Sequence, residues 1–290
     1  MVDKKLQDIK EEVMQGEIKP ETNAKTDSKI EKPAEKAKPK KPRVIAVLSG
    51  KGGVGKTTLT ANLGAALAYD YNRNVVAVDA NTTSAGLGLY LGEYFYKNTI
   101  NDVIKRGIDL SEALYCHPSG LKLLPASADI ADSDADPKKI KQVVDIVSTY
   151  SDFVLLDCPP TLGDETTSGI EASNECIVVV NPEWASLLEA KRTIDYVSSK
   201  KKSVLGLVLN RTNGDIDEYY VKNVEEVLNS PVLAIIPEDN YVKDSIEKRV
   251  PVVHLHPKSE ASRNMKVLLE KITGQAFPKR KGFWQTLFGM

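Results

Sequence analysis

The sequence predicts an α/β fold: a doubly wound, mostly parallel sheet with helices on both faces. Three observations carry this. Short, continuously apolar runs recur between residues 44 and 236, as strands buried on both faces require. Most are followed by a stretch in which apolar residues have helical spacing. The first run passes into the first helical stretch through Gly50-Lys51-Gly52-Gly53-Val54-Gly55-Lys56-Thr57. That segment fits GxxxxGK[ST] in the strand–loop–helix context that gives the motif its meaning.

In chain order, residues 1–42 hold no aromatic side chain and crowd charges of both signs, and 32–42 reads KPAEKAKPKKP. Such a segment cannot bury enough apolar area to fold, which predicts a disordered charged tail. Leu6, Ile9 and Val13 have helical spacing, so a short docking helix on a tether is the alternative. From Arg43 the pattern changes. Strands are expected over 44–48, 75–78, 121–124, 153–156, 176–180, 204–209 and 232–236. Helices are expected over 57–69, 140–148, 187–198, 219–228 and 260–272, all within one domain spanning 43–274. Residues 275–290 break the pattern and are expected to form a linker and an amphipathic tail.

In the glycine-rich loop the backbone N–H groups of Gly50, Gly52, Gly53, Val54 and Gly55 can turn inward around phosphates, and the following helix, through Thr57 and Thr58, directs its positive end at them. Lys56 is expected to reach the β- and γ-phosphates of ATP, and the Thr57 hydroxyl to hold Mg²⁺. The run 154–156 ends in Asp157, the carboxylate a Walker B strand needs to hold Mg²⁺ through water.

Lys51 narrows the reading. The form KGGVGKTT resembles the deviant phosphate loop of the MinD/ParA family, nearest its MinD branch. The resemblance extends through DCPPTLG at 157–163, Asn181-Pro182-Glu183 with Ser186 and Arg192, Asn210-Arg211, and Pro237-Glu238-Asp239 with Val242. It implies that Lys51 contacts nucleotide phosphate, often across a dimer of two ATP-bound subunits, much as an arginine finger does elsewhere. It also implies that Asn210, Arg211, Pro237, Glu238 and Asp239 flank the adenine. One departure stands out. Where the family carries two aspartates in a DxD pattern, this chain has Asp79-Ala80-Asn81. An amide can orient a water but cannot accept its proton as a carboxylate could, so hydrolysis is expected at a rate that Asn81 could lower. Asp79 is left to support Mg²⁺ or the loop lysines.

Bulk properties exclude other classes. Hydrophobic residues make up 41% and charged residues 27%, ordinary for a globular protein, and a net charge of −1 gives no global attraction to nucleic acid or acidic lipid. Cys116, Cys158 and Cys176 form no CxxC pair, which argues against a metal-cluster carrier and suits reduced core thiols in the cytoplasm. His254 and His256 form an HxH step without a third ligand nearby. No apolar run reaches the roughly 20 residues that span a bilayer, and the polar N-terminus is not a secretory signal.

The last residues point to a surface partner. In a helix Phe283, Trp284, Leu287 and Phe288 share one face, just after the basic cluster Lys279, Arg280 and Lys281. That is the composition of a short interfacial helix on an anionic membrane, and it is similar to the membrane-targeting tail of the MinD branch. The expected protein is therefore an ATP-dependent homodimer, cytoplasmic and peripheral on the inner face of the cell membrane. It would position a division site or another surface machine, with a protein partner or activator of unknown identity. The alternatives are a ParA-like ATPase that binds DNA, with Lys200-Lys201-Lys202 as a phosphate contact, a biosynthetic ligase, or a weakly hydrolysing regulator.

Overall fold

The structure is a computed structural model that describes residues 41–92, 95–214 and 216–278. Residues 1–40 of the expected 1–42 tail and residues 279–290 of the expected 275–290 linker and tail lie outside the described residues. Eight strands form one sheet: β1 (Arg43–Leu48), β2 (Val75–Asp79), β3 (Tyr115–Cys116), β4 (Lys122–Leu124), β5 (Phe153–Asp157), β6 (Glu175–Val180), β7 (Ser203–Thr212) and β8 (Val232–Pro237). Their order is β3-β4-β2-β5-β1-β6-β7-β8, and every pairing is parallel except β3 with β4. The doubly wound architecture expected from the apolar runs is present.

Alternation along the strands divides the core in two. Ala46, Leu48, Val76, Val78, Val154 and Leu156 face one layer, with α4 (Ile140–Ser148), α5 (Asp164–Ala172), α6 (Trp184–Ser199) and α7 (Glu218–Leu228). Ile45, Val47, Val75, Ala77 and Leu155 face the other, with α1 (Lys56–Tyr69) and α10 (Glu260–Thr273). The central strands are buried on both faces, which is why they read as unbroken apolar runs. The short elements α2 (Leu87–Leu91), α3 (Ile100–Arg106), α8 (Asn240–Glu247) and α9 (Val252–Leu255) were not expected.

Strand register builds the site. Asp79, the last residue of β2, is paired with Asp157, the last of β5, and Asp157 is paired in turn with Val47 near the end of β1. Two carboxylates and the start of the glycine-rich loop therefore meet at the C-terminal edge of the sheet, where open α/β folds bind ligands.

Candidate functional site

Gly55 is the hinge between loop and helix. It is the N-cap of α1 with φ 101°, and no side chain caps that helix. The first N–H groups of α1 are thus left for an anion, with no acidic residue in the first turn to compete. A Cβ at Gly55 would lie 2.3 Å from Nδ2 of Asn210, which donates to the Val54 carbonyl at 2.7 Å. Alanine here meets both a left-handed backbone cost of about 1–2 kcal/mol and the loss of that bond. Gly55→Ala is expected to weaken ADP binding at least about tenfold by calorimetry.

The lysines have different surroundings. Lys56 is buried, its Nζ donates to Ser49 Oγ at 2.8 Å, and burial pushes its pKa down while Asp157 pulls it back up. Ser49 Oγ in turn donates to the Lys51 carbonyl at 2.7 Å, so one hydroxyl joins both ends of the loop. Ser49 was missed in the sequence, where a serine at a strand end carries no signal of its own. The Lys51 side chain sits on the open rim instead, its Nζ 2.7 Å from Glu183 Oε2, with 47% and 58% of the two side chains exposed. Glu183 is the N-cap residue of α6, 132 positions away in sequence.

The acidic end is built for a cation. Thr57 Oγ1 donates to Asp157 Oδ2 at 2.7 Å, while Asp157 Oδ1 is buried with no hydrogen-bond partner among the described residues. An orphaned carboxylate oxygen beside a threonine hydroxyl fits Mg²⁺, whose ligands are hard oxygens and water. Asp79 is fully buried and accepts from the backbone N–H groups of Asn81 at 3.2 Å, Gly86 at 2.9 Å and Leu87 at 3.0 Å. It therefore shapes the loop that carries Asn81. Burial, and then the Asp157 charge, pushes the Asp79 carboxyl up to about 7. Asn81 Oδ1 accepts from the Ser84 N–H at 3.1 Å, at the surface of that loop.

A cleft opens beside the loop, lined by Gly53, Gly55, Thr58, Pro237, Asp239 and Met265, among others. Asn210, Arg211 and Glu238 line it too, and Arg211 bridges its walls, donating to the Gly53 carbonyl at 3.0 Å and to Glu238 Oε2 at 2.9 Å. The strand β7 runs on through Asn210–Thr212 to deliver these residues. Thr161, in the DCPPTLG segment, holds φ 65°, a rare conformation for a β-branched residue and a mark of a strained loop.

A family profile described as an AAA domain matches residues 42–209. The ATP-binding protein MJ0547 of Methanocaldococcus jannaschii is 33% identical over 80% of this chain and 88% of its own length. The cell division ATPase MinD of Pyrococcus furiosus superposes with a TM-score of 0.75 at 34% identity, over 80% of this chain and 98% of that one. The chain belongs to the MinD/ParA family of P-loop ATPases. A second solved MinD, from Pyrococcus horikoshii and complexed with Mg-ADP, has 33% identity and a TM-score of 0.75 over 80% of this chain and 96% of its own.

As a MinD/ParA member the chain takes ATP and Mg²⁺ as cofactors, and the geometry above has a place for each. The histidine step proves to be two separate contacts: His254 Nε2 lies 3.0 Å from Asp70, and His256 Nε2 lies 2.6 Å from Asp244. Cys158 and Cys176 are buried and Cys116 is exposed. Among the described residues no helix is long and apolar enough to cross a membrane.

Proposed function

We propose that this protein is a MinD-like ATPase that dimerises with ATP, binds an anionic membrane reversibly through residues 279–290, and thereby positions a division site or another surface machine on the inner face of the cell membrane. The observation that carries the reading is the placement of Lys51. Its ammonium rests on the rim against Glu183, away from buried Lys56, where a second subunit can be reached. Within this reading Lys51, Lys56, Asp79 and Asn81 serve hydrolysis, and the cleft from Thr58 to Asp239 holds the nucleoside. Thr57 and Asp157 would hold Mg²⁺, which neutralises charge on the β- and γ-phosphate oxygens when bound.

The last described residues pack beside the first strand. Phe277 packs edge-on against Tyr71 with centroids 5.6 Å apart, its N–H donates to Glu270 at 2.7 Å, and Gln275 accepts from Arg73 at 3.0 Å. The Arg43 guanidinium donates to the Ile272 carbonyl, so this segment lies beside the first residue of β1. The phosphate loop follows the last residue of β1, roughly 20 Å away at strand rise. In this reading ATP acts on the membrane through dimerisation, which brings two tails to one surface. One tail gains roughly 1.5–3 kcal/mol per fully inserted apolar side chain but loses roughly 1–2 kcal/mol per ordered residue. Two tails on one dimer add their free energies and raise avidity by roughly 10²–10⁴.

DNA binding of the ParA-like kind has less support from the basic run it would use. Lys200 is paired with Glu171 at 2.8 Å, and Lys202 Nζ donates to the carbonyls of Glu171 and Ser173, so two of these lysines close the end of α5. Sedimentation with anionic vesicles tests the choice. ATP is expected to raise binding several-fold over ADP, and a chain ending at Pro278 should lose it. Equal pelleting of the full and shortened chains would reject the membrane reading, and a salt-sensitive DNA shift in ATP would install the ParA-like one.

A further inference from the structure

The loop that carries Asn81 is held from outside by one carboxylate. Glu165, in the first turn of α5, accepts from the buried Thr82 hydroxyl and, through its other oxygen, lies 3.3 Å from Thr83 Oγ1. The same Thr83 hydroxyl lies 3.4 Å from Asn81 Oδ1. A hydroxyl has one proton to give, so Glu165 and Asn81 compete for it. A carboxylate is the stronger acceptor, because hydrogen bonds to an ionised group are roughly twice as strong as those between neutral groups. The Thr83 proton therefore goes to Glu165. Asn81 Oδ1 keeps the Ser84 N–H at 3.1 Å and has its second lone pair left over on a loop open to water.

We propose that Glu165 is a positioning residue for hydrolysis: by drawing the Thr83 proton it leaves the Asn81 carbonyl able to accept a hydrogen bond from the attacking water. Asp79 folds the loop back from the end of β2, and at the loop's far end a Cβ at Gly86 would lie 3.7 Å from Thr57 Oγ1, beside the first turn of the phosphate-loop helix. In the step served, the water oxygen bonds to the γ-phosphorus and the bond to the bridging oxygen breaks. The electron pair leaves on ADP, and the water proton ends on the released phosphate or in solvent. Asn81 only orients the water, which is all an amide can do. Glu165 makes a neutral side chain sufficient there.

This inference rests on the ATPase reading of Asn81, and the test separates the two. Turnover is measured for Asn81→Ala, Glu165→Gln and Glu165→Gln/Thr83→Val. Glutamine can keep the Thr82 bond through its carbonyl but presents an N–H₂ to Thr83, turning that hydroxyl toward Asn81. Glu165→Gln is expected to lower kcat about fivefold to tenfold, the size of one lost hydrogen bond, with KM for ATP and the thermal midpoint unchanged. Adding Thr83→Val removes the competing proton and should recover most of that loss, which a purely structural role for Glu165 would not permit. Glu165→Asp, one methylene too short to reach both hydroxyls, is an independent variant with the same expected drop. Wild-type kcat in Glu165→Gln, or a drop that Thr83→Val does not relieve, overturns the inference. Wild-type kcat in Asn81→Ala instead removes the water-orienting role of Asn81 and takes the inference with it.

Discussion

Lys51→Ala is expected to lower ATP turnover by about 10²–10³-fold, the cost of removing one charge aimed at a transition state. Its effect on ADP binding by the isolated subunit should be small, under about fivefold, because the Lys51 ammonium sits on the rim with Glu183 and not among the buried groups around Lys56. The two effects differ because only the first requires Lys51 to leave its resting place. How firmly Glu183 holds it can be judged from exposure. A pair in which 47% and 58% of the side chains face solvent is worth no more than about 1 kcal/mol, or about fivefold in a population. Glu183→Gln should therefore change turnover by a few-fold at most, whereas Lys51→Ala nearly abolishes it. Steady-state phosphate release, read beside ADP titration calorimetry, checks all of this. A Lys51→Ala protein with wild-type turnover would end the assignment of Lys51 to catalysis.

The parts that could be read in the chain before its structure are those whose physics is local. The strand at 153–157 is apolar because both sheet faces are covered, and its terminal Asp157 follows from the same run. The phosphate loop is contiguous, so its glycines and Lys56 are all visible at once. The helix α5 escaped notice because its sequence, DETTSGIEA, mixes weak helix formers with little periodicity. The pairs Lys51–Glu183, Asn210–Val54 and Thr82–Glu165 span 132, 156 and 83 positions, and no spacing rule reaches that far. Asn81 shows the same limit from the other side. Its identity posed a question about hydrolysis, and the residue that bears on the answer, Glu165, lies on a helix with no motif to mark it.

Asp157→Asn is expected to abolish Mg²⁺-dependent turnover, a loss on the order of 10³-fold, and yet to stabilise the nucleotide-free protein. Burial raises the Asp157 carboxyl to about 6 even after the Thr57 hydrogen bond and the nearby Lys56 charge are counted, so its ionised form is disfavoured in the fold. Asp79, paired beside it at the end of β2, is raised to about 7 for the same reason and by the Asp157 charge itself. Unfolded carboxylates titrate near 3.9, so between about pH 4 and 7 the folded state holds protons that the unfolded state has released. Stability of the nucleotide-free protein should then fall as pH rises through that window and stay low above it. An amide at 157 removes one charge and its repulsion of Asp79. The thermal midpoint at pH 8 is expected to rise on the order of 5 °C, and the slope between pH 5 and 8 to flatten. Thermal melts of both proteins without nucleotide or metal, at those two pH values, decide it. A midpoint that drops in Asp157→Asn would mean that the attraction of Asp157 for Lys56 outweighs its desolvation. The carboxylate pair would then support the fold, where this reading has it strained until Mg²⁺ binds.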